Sequence, residues 1–404
     1  MTLESEKQGF QGWKALLVCL VVTGVFVYQY FFGWLYLGGQ HGFGDLIYVL
    51  DRVSCIEFGW EKLYSLRTEE VCTGYIYGST LLKILSLIPV AIVETNIVAY
   101  SFIVIFTLIY VVTVSQSVMP LSLAFFSIVL FFSPPIVLLL ERLNIDLIIF
   151  LLVYYAASFR GKSLWLLAPT CLALASLFKF YTLPLLIGQS LNFRKRKRAI
   201  VLISILLPTL TLVIIDMRRL EYLPWDARNM FGNAIWLEYV LYVVQGPYTH
   251  ANFAAASLLG ITLIACVGIV LYKMRFLEGP TAIVHGQSAN RLVFVLSTYT
   301  FCYFSGLSVD YRLVFLLFSY LLAEQLFFMA KATAWILRIS MFLSLYLSYN
   351  VEILQPLGDL AQVICLVIIW KLSWRTSLAV FRNIADEILK IVGIVFTGVS
   401  RNRH

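Results

Sequence analysis

Four short sets of residues in this chain could do chemistry, and each is flanked by apolar sequence. They are Asp45 in Gly42-Phe43-Gly44-Asp45-Leu46-Ile47-Tyr48, the run Glu141-Arg142-Leu143-Asn144-Ile145-Asp146, Lys179 with Tyr181, and Asp310-Tyr311-Arg312. A positioned carboxylate can take a proton from a sugar hydroxyl, and lysine or arginine suits an anionic phosphate group. A charge at the edge of an apolar span is costly unless it faces protein, water or a ligand, which makes each of these residues a functional candidate. Each also has a bland reading. Asp45 precedes Leu46, Val49, Leu50 and Val53, which have helical spacing, so it could simply cap an amphipathic helix. Asn144 could cap the span that follows it. Lys179 could snorkel from a helix end, and Asp310 could pair with Arg312. Asp51 lies six residues beyond Asp45, about 240° round a helix, so the two do not form a paired-carboxylate motif.

The elements that must position these residues are membrane spans. Of 404 residues, 61% are hydrophobic and 13% charged, against about 25% charged in ordinary globular domains. Apolar runs recur almost end to end at the length needed to cross roughly 30 Å of hydrocarbon. The first, 15–36, is expected to stay as a span and not to be cleaved, because it is too long for a signal's apolar core. The net charge of +8 does not indicate nucleic acid. The bases sit in short loops and the C-terminal tail, as cytoplasmic flanks do.

Orientation follows from Arg194-Lys195-Arg196-Lys197-Arg198, five consecutive bases that belong in the cytoplasm. Arg160-Gly161-Lys162 is a second basic loop. The apolar stretch 163–193 between them would be about 46 Å long as one helix, and it contains Lys179 and Pro184, so it is expected to break near 179–182 into two spans. Counted outward from there, the spans are 95–115, 118–140 (interrupted by Pro134-Pro135), 145–159, 199–215, 251–272, 291–307, 311–330, 333–349 and 357–370. The piece 74–90 is expected to dip into the membrane from outside, and 378–395 to lie on the inner interface. The expected architecture is all-α and polytopic, with about twelve spans. All four charged sets then reach the extracytoplasmic surface. The chain divides into a module 14–216 with an outer loop 38–73, a second outer loop 217–250, C-terminal helices 251–373 and a cytoplasmic tail 374–404.

Cys19, Cys171, Cys266, Cys302 and Cys365 lie in apolar runs and read as small hydrophobes. Cys55 and Cys72 share the first outer loop and could pair if that loop faces an oxidising compartment. Trp225, Asp226, Arg228, Asn233 and Trp236 in the second loop have a carbohydrate-facing composition. No nucleotide-binding glycine loop is evident. No cofactor is called for. Carboxylates arranged to hold a divalent metal are not evident, with Asp45 and Glu141 the one pair that could meet in space.

In order and membrane side these motifs resemble the glycosyltransferase-C superfamily, in particular the polyprenyl-phosphate-mannose-dependent mannosyltransferases of glycosyltransferase family 87. Gly44-Asp45-Leu46-Ile47-Tyr48 is similar to the family's first-loop Asp-x-x-x-Tyr stretch, and Glu141 to Asp146 to its Arg-Gly-Asn-x-(Asp/Glu). Phe178 to Pro184 is similar to Lys-x-Tyr-Pro, and Asp310-Tyr311-Arg312 to a late Asp-Tyr-Arg. The likeness covers about residues 10–330. Leu143 stands where the family has Gly, and Thr182 where it has Pro. The resemblance implies a polyprenyl-phosphate sugar donor, an inverting hexosyl transfer to an extracytoplasmic lipid or glycan acceptor, and Asp45 as general base. It places Lys179, Arg312 and Arg142 on the donor phosphate, with Tyr181, Glu141, Asn144 and Asp310 around the substrates. The implied location is the bacterial plasma membrane, with the site on its outer face. The rival reading is a lipid-linked oligosaccharide flippase, for which Glu324, Gln325 and Lys83 would be the intramembrane polar groups.

Overall fold

The computed structural model describes residues 23–24, 44–58, 79–87, 95–115, 121–159, 166–190, 196–219, 250–273, 286–304, 312–327, 329–347 and 357–378. Every regular element among them is helical, and no strand occurs. In chain order the helices are α1 Gly44–Ser54, α2 Ser79–Ser86, α3 Thr95–Ser115, α4 Leu121–Phe131, α5 Pro134–Arg142, α6 Ile145–Phe159 and α7 Leu167–Phe178. There follow α8 Leu183–Ser190, α9 Arg196–Arg219, α10 His250–Lys273, α11 Gln287–Phe304, α12 Leu313–Leu326, α13 Lys331–Leu347 and α14 Leu357–Leu378. Short 3-10 turns lie at Cys55–Phe58 and Phe180–Thr182.

The expected count of about twelve spans is not supported. Among the described residues, two helices are long and apolar enough to cross a membrane, Ile97–Val114 and Leu357–Leu378. A third is reached if the bent pair Phe125–Phe131 and Pro134–Arg142 is one broken span. Two of the expected spans are interrupted. Pro134-Pro135 cannot donate backbone hydrogen bonds and bends α4 against α5 by 51°. Lys179 leaves the helix in extended conformation, so the stretch 163–193 divides into α7 of 12 residues and α8 of 8, both short of the roughly 20 a span needs. The helices at 95–115 and 145–159 have their expected bounds. Apart from 23–24, the first apolar run lies outside the described residues, as do 220–249 of the second outer loop, the interfacial segment after Leu378 and the ends of the dipping piece around α2.

The centre of the molecule is α6, packed on α7, α11, α3 and α5, with α12 against α11, α5 and α3. Its core is aromatic. The Phe150 ring lies 4.4 Å from Phe318 and 5.7 Å from Phe106, and Tyr110 lies 4.8 Å from Phe131. The periphery is apolar too. Ile97, Val104, Leu108 and Val112 on α3 are exposed, as are Ile203, Leu207 and Ile214 on α9 and Leu258, Ile261, Ile269 and Val270 on α10. Apolar faces of that extent suit lipid.

Direction along the bundle is fixed by contacts. Asp146 lies in the first turn of α6 and Ser158 in its last, about 18 Å apart at 1.5 Å per residue. Gln287 and Arg291, at the start of α11, donate to the Ser158 carbonyl and hydroxyl at 3.2 and 2.9 Å. Arg291 also covers the Tyr154 ring at 4.5 Å. So α11 runs antiparallel to α6. Asp216, near the end of α9, accepts the Ser79 backbone N–H at 2.8 Å, which places it beside α2 and thus α1. One end of the bundle therefore carries Asp45, Asp146, Lys179, Asp216 and Arg312. The other carries Ser158, Arg291 and the basic start of α9.

Candidate functional site

The site is built where α1, the α5–α6 junction, the α7–α8 break and the start of α12 meet. Only Leu143 and Asn144 separate α5 from α6. The Asn144 N–H donates to the Leu139 carbonyl at 3.2 Å and the Leu143 N–H to the Leu140 carbonyl at 3.3 Å, which is the Schellman closure of a helix. Its left-handed position is Leu143, at φ 45° and ψ 56°, a conformation that glycine adopts without strain. Asn144 then caps the next helix, accepting the Asp146 N–H on its side-chain oxygen at 2.9 Å. The capping role foreseen for Asn144 is real, and its amide NH2 has a second one.

That NH2 donates to Asp45 Oδ2 at 2.5 Å, while Arg142 Nη2 holds Asp45 Oδ1 at 2.8 Å. Asp45 lies in the first turn of α1 with its carboxylate turned onto the α5–α6 junction. Burial pushes its carboxyl above the usual 3.8, against the opposing pull of Arg142 and the Asn144 hydrogen bond.

Behind this pair sits Asp146. Lys179 Nζ donates to its Oδ2 at 2.8 Å and the Tyr181 hydroxyl to its Oδ1. Arg312 Nε stands 3.7 Å from Oδ2, with its guanidinium over the Tyr181 ring at 4.7 Å. Lys179 reaches this point because the chain turns extended there, its N–H still closing α7 on the Ala175 carbonyl at 2.9 Å. Ser176 and Thr182 hydroxyls meet across the break at 3.1 Å. Tyr181 packs edge-on against Phe315, centroids 6.1 Å apart, which ties the site to the aromatic core.

The structure thus brings Asp45, Arg142, Asn144, Lys179, Tyr181 and Arg312 together. Glu141 is buried in the last turn of α5. Asp310 and the aromatic and polar residues of 217–250 lie outside the described residues. Among the described residues, no three metal-ligating side chains are grouped. Asp146 was named in the sequence only as the end of a run, yet it is the centre of the inner half. The available signal was its isolation, because 145–159 contains no other charge, so its counter-ions had to come from other elements.

No protein-family model, curated protein or solved structure matches this chain. The likeness to glycosyltransferase-C enzymes therefore stands on the four motifs and their order.

Cys171, Cys266, Cys302 and Cys365 are free thiols. Cys55 is disulfide-bonded, and the other cysteines of the chain, Cys19 and Cys72, lie outside the described residues.

Proposed function

We propose that this chain is a membrane glycosyltransferase that moves a hexose, mannose by the family likeness, from a polyprenyl-phosphate donor to an extracytoplasmic lipid or glycan acceptor with inversion. Asp45 is the general base. Arg142, Lys179 and Arg312 surround the donor phosphate and stabilise it as it leaves. The observation that carries this reading is the convergence of four distant segments on one bundle end, where two buried carboxylates, Asp45 and Asp146, hold three cations between them. Isolated residues with only local roles, capping or snorkelling, would not need to meet.

The membrane side is argued from charge and thiol chemistry. The basic start of α9 and Arg291 occupy the end opposite the site, as the positive-inside rule expects of cytoplasmic loops. The disulfide at Cys55, the residue directly after α1, supports an oxidising, extracytoplasmic location for the site end. We place the protein in a bacterial plasma membrane, crossing it many times, with partners limited to the lipid-linked donor, the acceptor and membrane lipids.

The experiment is transfer of radiolabelled hexose from polyprenyl-phosphate donors to membrane lipids by purified protein and Asp45→Asn. Loss of transfer with donor binding retained supports the base assignment. Equal turnover removes Asp45 from the chemistry.

One observation favours the flippase reading. Glu324, near the end of α12, receives Arg338 of α13 through two hydrogen bonds of 3.0 and 3.2 Å. It lies 12 residues from Arg312, about 18 Å along the helix, and an ionisable pair at membrane depth is a functional candidate by default. Lys83 does not join it, because it is exposed on α2. Movement of labelled lipid across vesicles without any sugar transfer, abolished by Glu324→Gln, would favour the flippase.

A further inference from the structure

We infer that the ends of α13 and α14 farthest from the site form a surface that binds the headgroup of an anionic phospholipid. Contacts along the helices fix where those ends lie. Phe315 of α12 packs on Tyr181 at the site and Phe318 on Tyr154, so α12 runs away from the site alongside α6. Four residues later α13 begins, held antiparallel to α12 by the pair of Glu324 and Arg338. Nine residues join α13 to α14, a short connection that suits antiparallel neighbours, and the Cys365 thiol reaches the Leu337 carbonyl at 3.8 Å. The start of α13 and the end of α14 therefore meet at the end of the bundle that carries Arg291.

Two lysines stand there at one level. Lys331 lies six residues before Leu337 and Lys371 six after Cys365, so each is about 9 Å beyond that contact. Both are exposed, and among the described residues neither has an ion-pair partner. No acidic residue occurs in α13, and the one in α14, Asp359, lies at its opposite end. Glu324 accepts two hydrogen bonds from Arg338, so that pair adds no net charge. Arg375 adds a third exposed cation, with contacts of its own. Trp335 and Trp374 bracket the lysines and are 61% and 55% exposed. Because α14 is long and apolar enough to cross a membrane, its last turns meet the headgroup layer, where tryptophan is enriched. On α13, Lys331, Trp335, Ile339 and Phe342 form one exposed stripe that turns apolar above the lysine. A headgroup phosphate meets the lysines while its acyl chains lie along Ile339 and Phe342. A zwitterionic headgroup carries its own cation and gains less, and a soluble phosphate has no chains to seat.

The test is native mass spectrometry of the full-length protein in a non-ionic detergent, given equal amounts of dioleoylphosphatidylglycerol and dioleoylphosphatidylcholine. Wild type is expected to retain the anionic lipid in preference. Lys331→Gln and Lys371→Gln are each expected to lower that preference about fivefold, the effect of one cation near a lipid surface. The double glutamine variant is expected to lower it about 25-fold, and the double arginine variant to keep it. Lys273→Gln removes the same charge from an exposed lysine of α10 and is expected to leave the ratio unchanged. Excess glycerol phosphate is expected not to displace the lipid. No preference in wild type, an unchanged ratio in the double glutamine variant, an equal fall in Lys273→Gln, or displacement by glycerol phosphate overturns the lipid site. None of these outcomes depends on the reaction at the opposite end of the bundle, so the transferase reading stands or falls separately.

Discussion

At the scale of the residue, Asp45 is tuned by burial against two partners, and the sign of each influence can be worked out. A general base must be ionised, so kcat/KM is expected to fall as pH drops through the Asp45 pKa, which burial holds above 3.8. Arg142 pulls that pKa down, so Arg142→Met is expected to move the acid limb to higher pH, and pH–rate profiles of the two proteins test this. An unmoved limb would mean that the pair is not coupled to catalysis. Stability runs the other way. A carboxyl whose folded pKa is raised contributes stability that is complete below its unfolded value and is lost as pH rises through the folded one. Asp45→Asn is therefore expected to unfold at a temperature no lower than wild type at neutral pH while losing transfer, which a thermal melt in detergent checks. Asp45, Arg142, Lys179 and Arg312, which the structure brings together, stood out in the sequence because charge is rare in apolar sequence. Asp146 was not legible as a centre, because nothing in 145–159 says which distant cations will find it.

At the scale of the element, the α5–α6 junction is the piece on which the site depends, and its weak point is Leu143. A left-handed conformation costs a branched side chain about 1–2 kcal/mol, yet Leu143 is buried and its side chain contributes about 1.5–3 kcal/mol by burial. Packing outweighs strain, so both small replacements are expected to destabilise. Their order is the informative part. Leu143→Ala loses packing and keeps the strain, whereas Leu143→Gly loses packing and relieves it, so glycine is expected to be the more stable by about 1 kcal/mol, the reverse of the usual ranking inside helices. Thermal midpoints of the two variants measure it, and alanine above glycine would mean that the junction relaxes out of its left-handed form. The same junction shows why helix positions were readable and span number was not. Apolar content located 95–115 and 145–159 at their bounds. Helix length depends on where the ladder breaks, and although the break near Lys179 was expected, composition alone counted the pieces of 12 and 8 residues on either side of it as full crossings.

At the scale of the whole molecule, the two ends of the bundle differ in a way that makes orientation testable without any substrate. The site end carries Asp45, Asp146, Lys179 and Asp216, and next to it Cys55 in a disulfide. The far end carries Arg291, held between the Ser158 hydroxyl and the Tyr154 ring, and the arginine- and lysine-rich start of α9. Positive loops stay in the cytoplasm because moving them across a membrane is resisted, and disulfides persist where thiols are not kept reduced. These are independent arguments, one electrostatic and one redox, for the one orientation proposed above. Intact cells treated with a membrane-impermeant reductant and then an impermeant maleimide are therefore expected to label Cys55, and untreated cells are not. To read the opposite end, a cysteine placed at Arg196 in a background lacking the free thiols is expected to label only after permeabilisation. Labelling of position 196 from outside, with Cys55 reached only in opened cells, would invert the orientation and move the site to the cytoplasmic face. A lipid-linked donor would then have to be presented from within, and the extracytoplasmic acceptor would have to be abandoned while the geometry of the site stayed as it is.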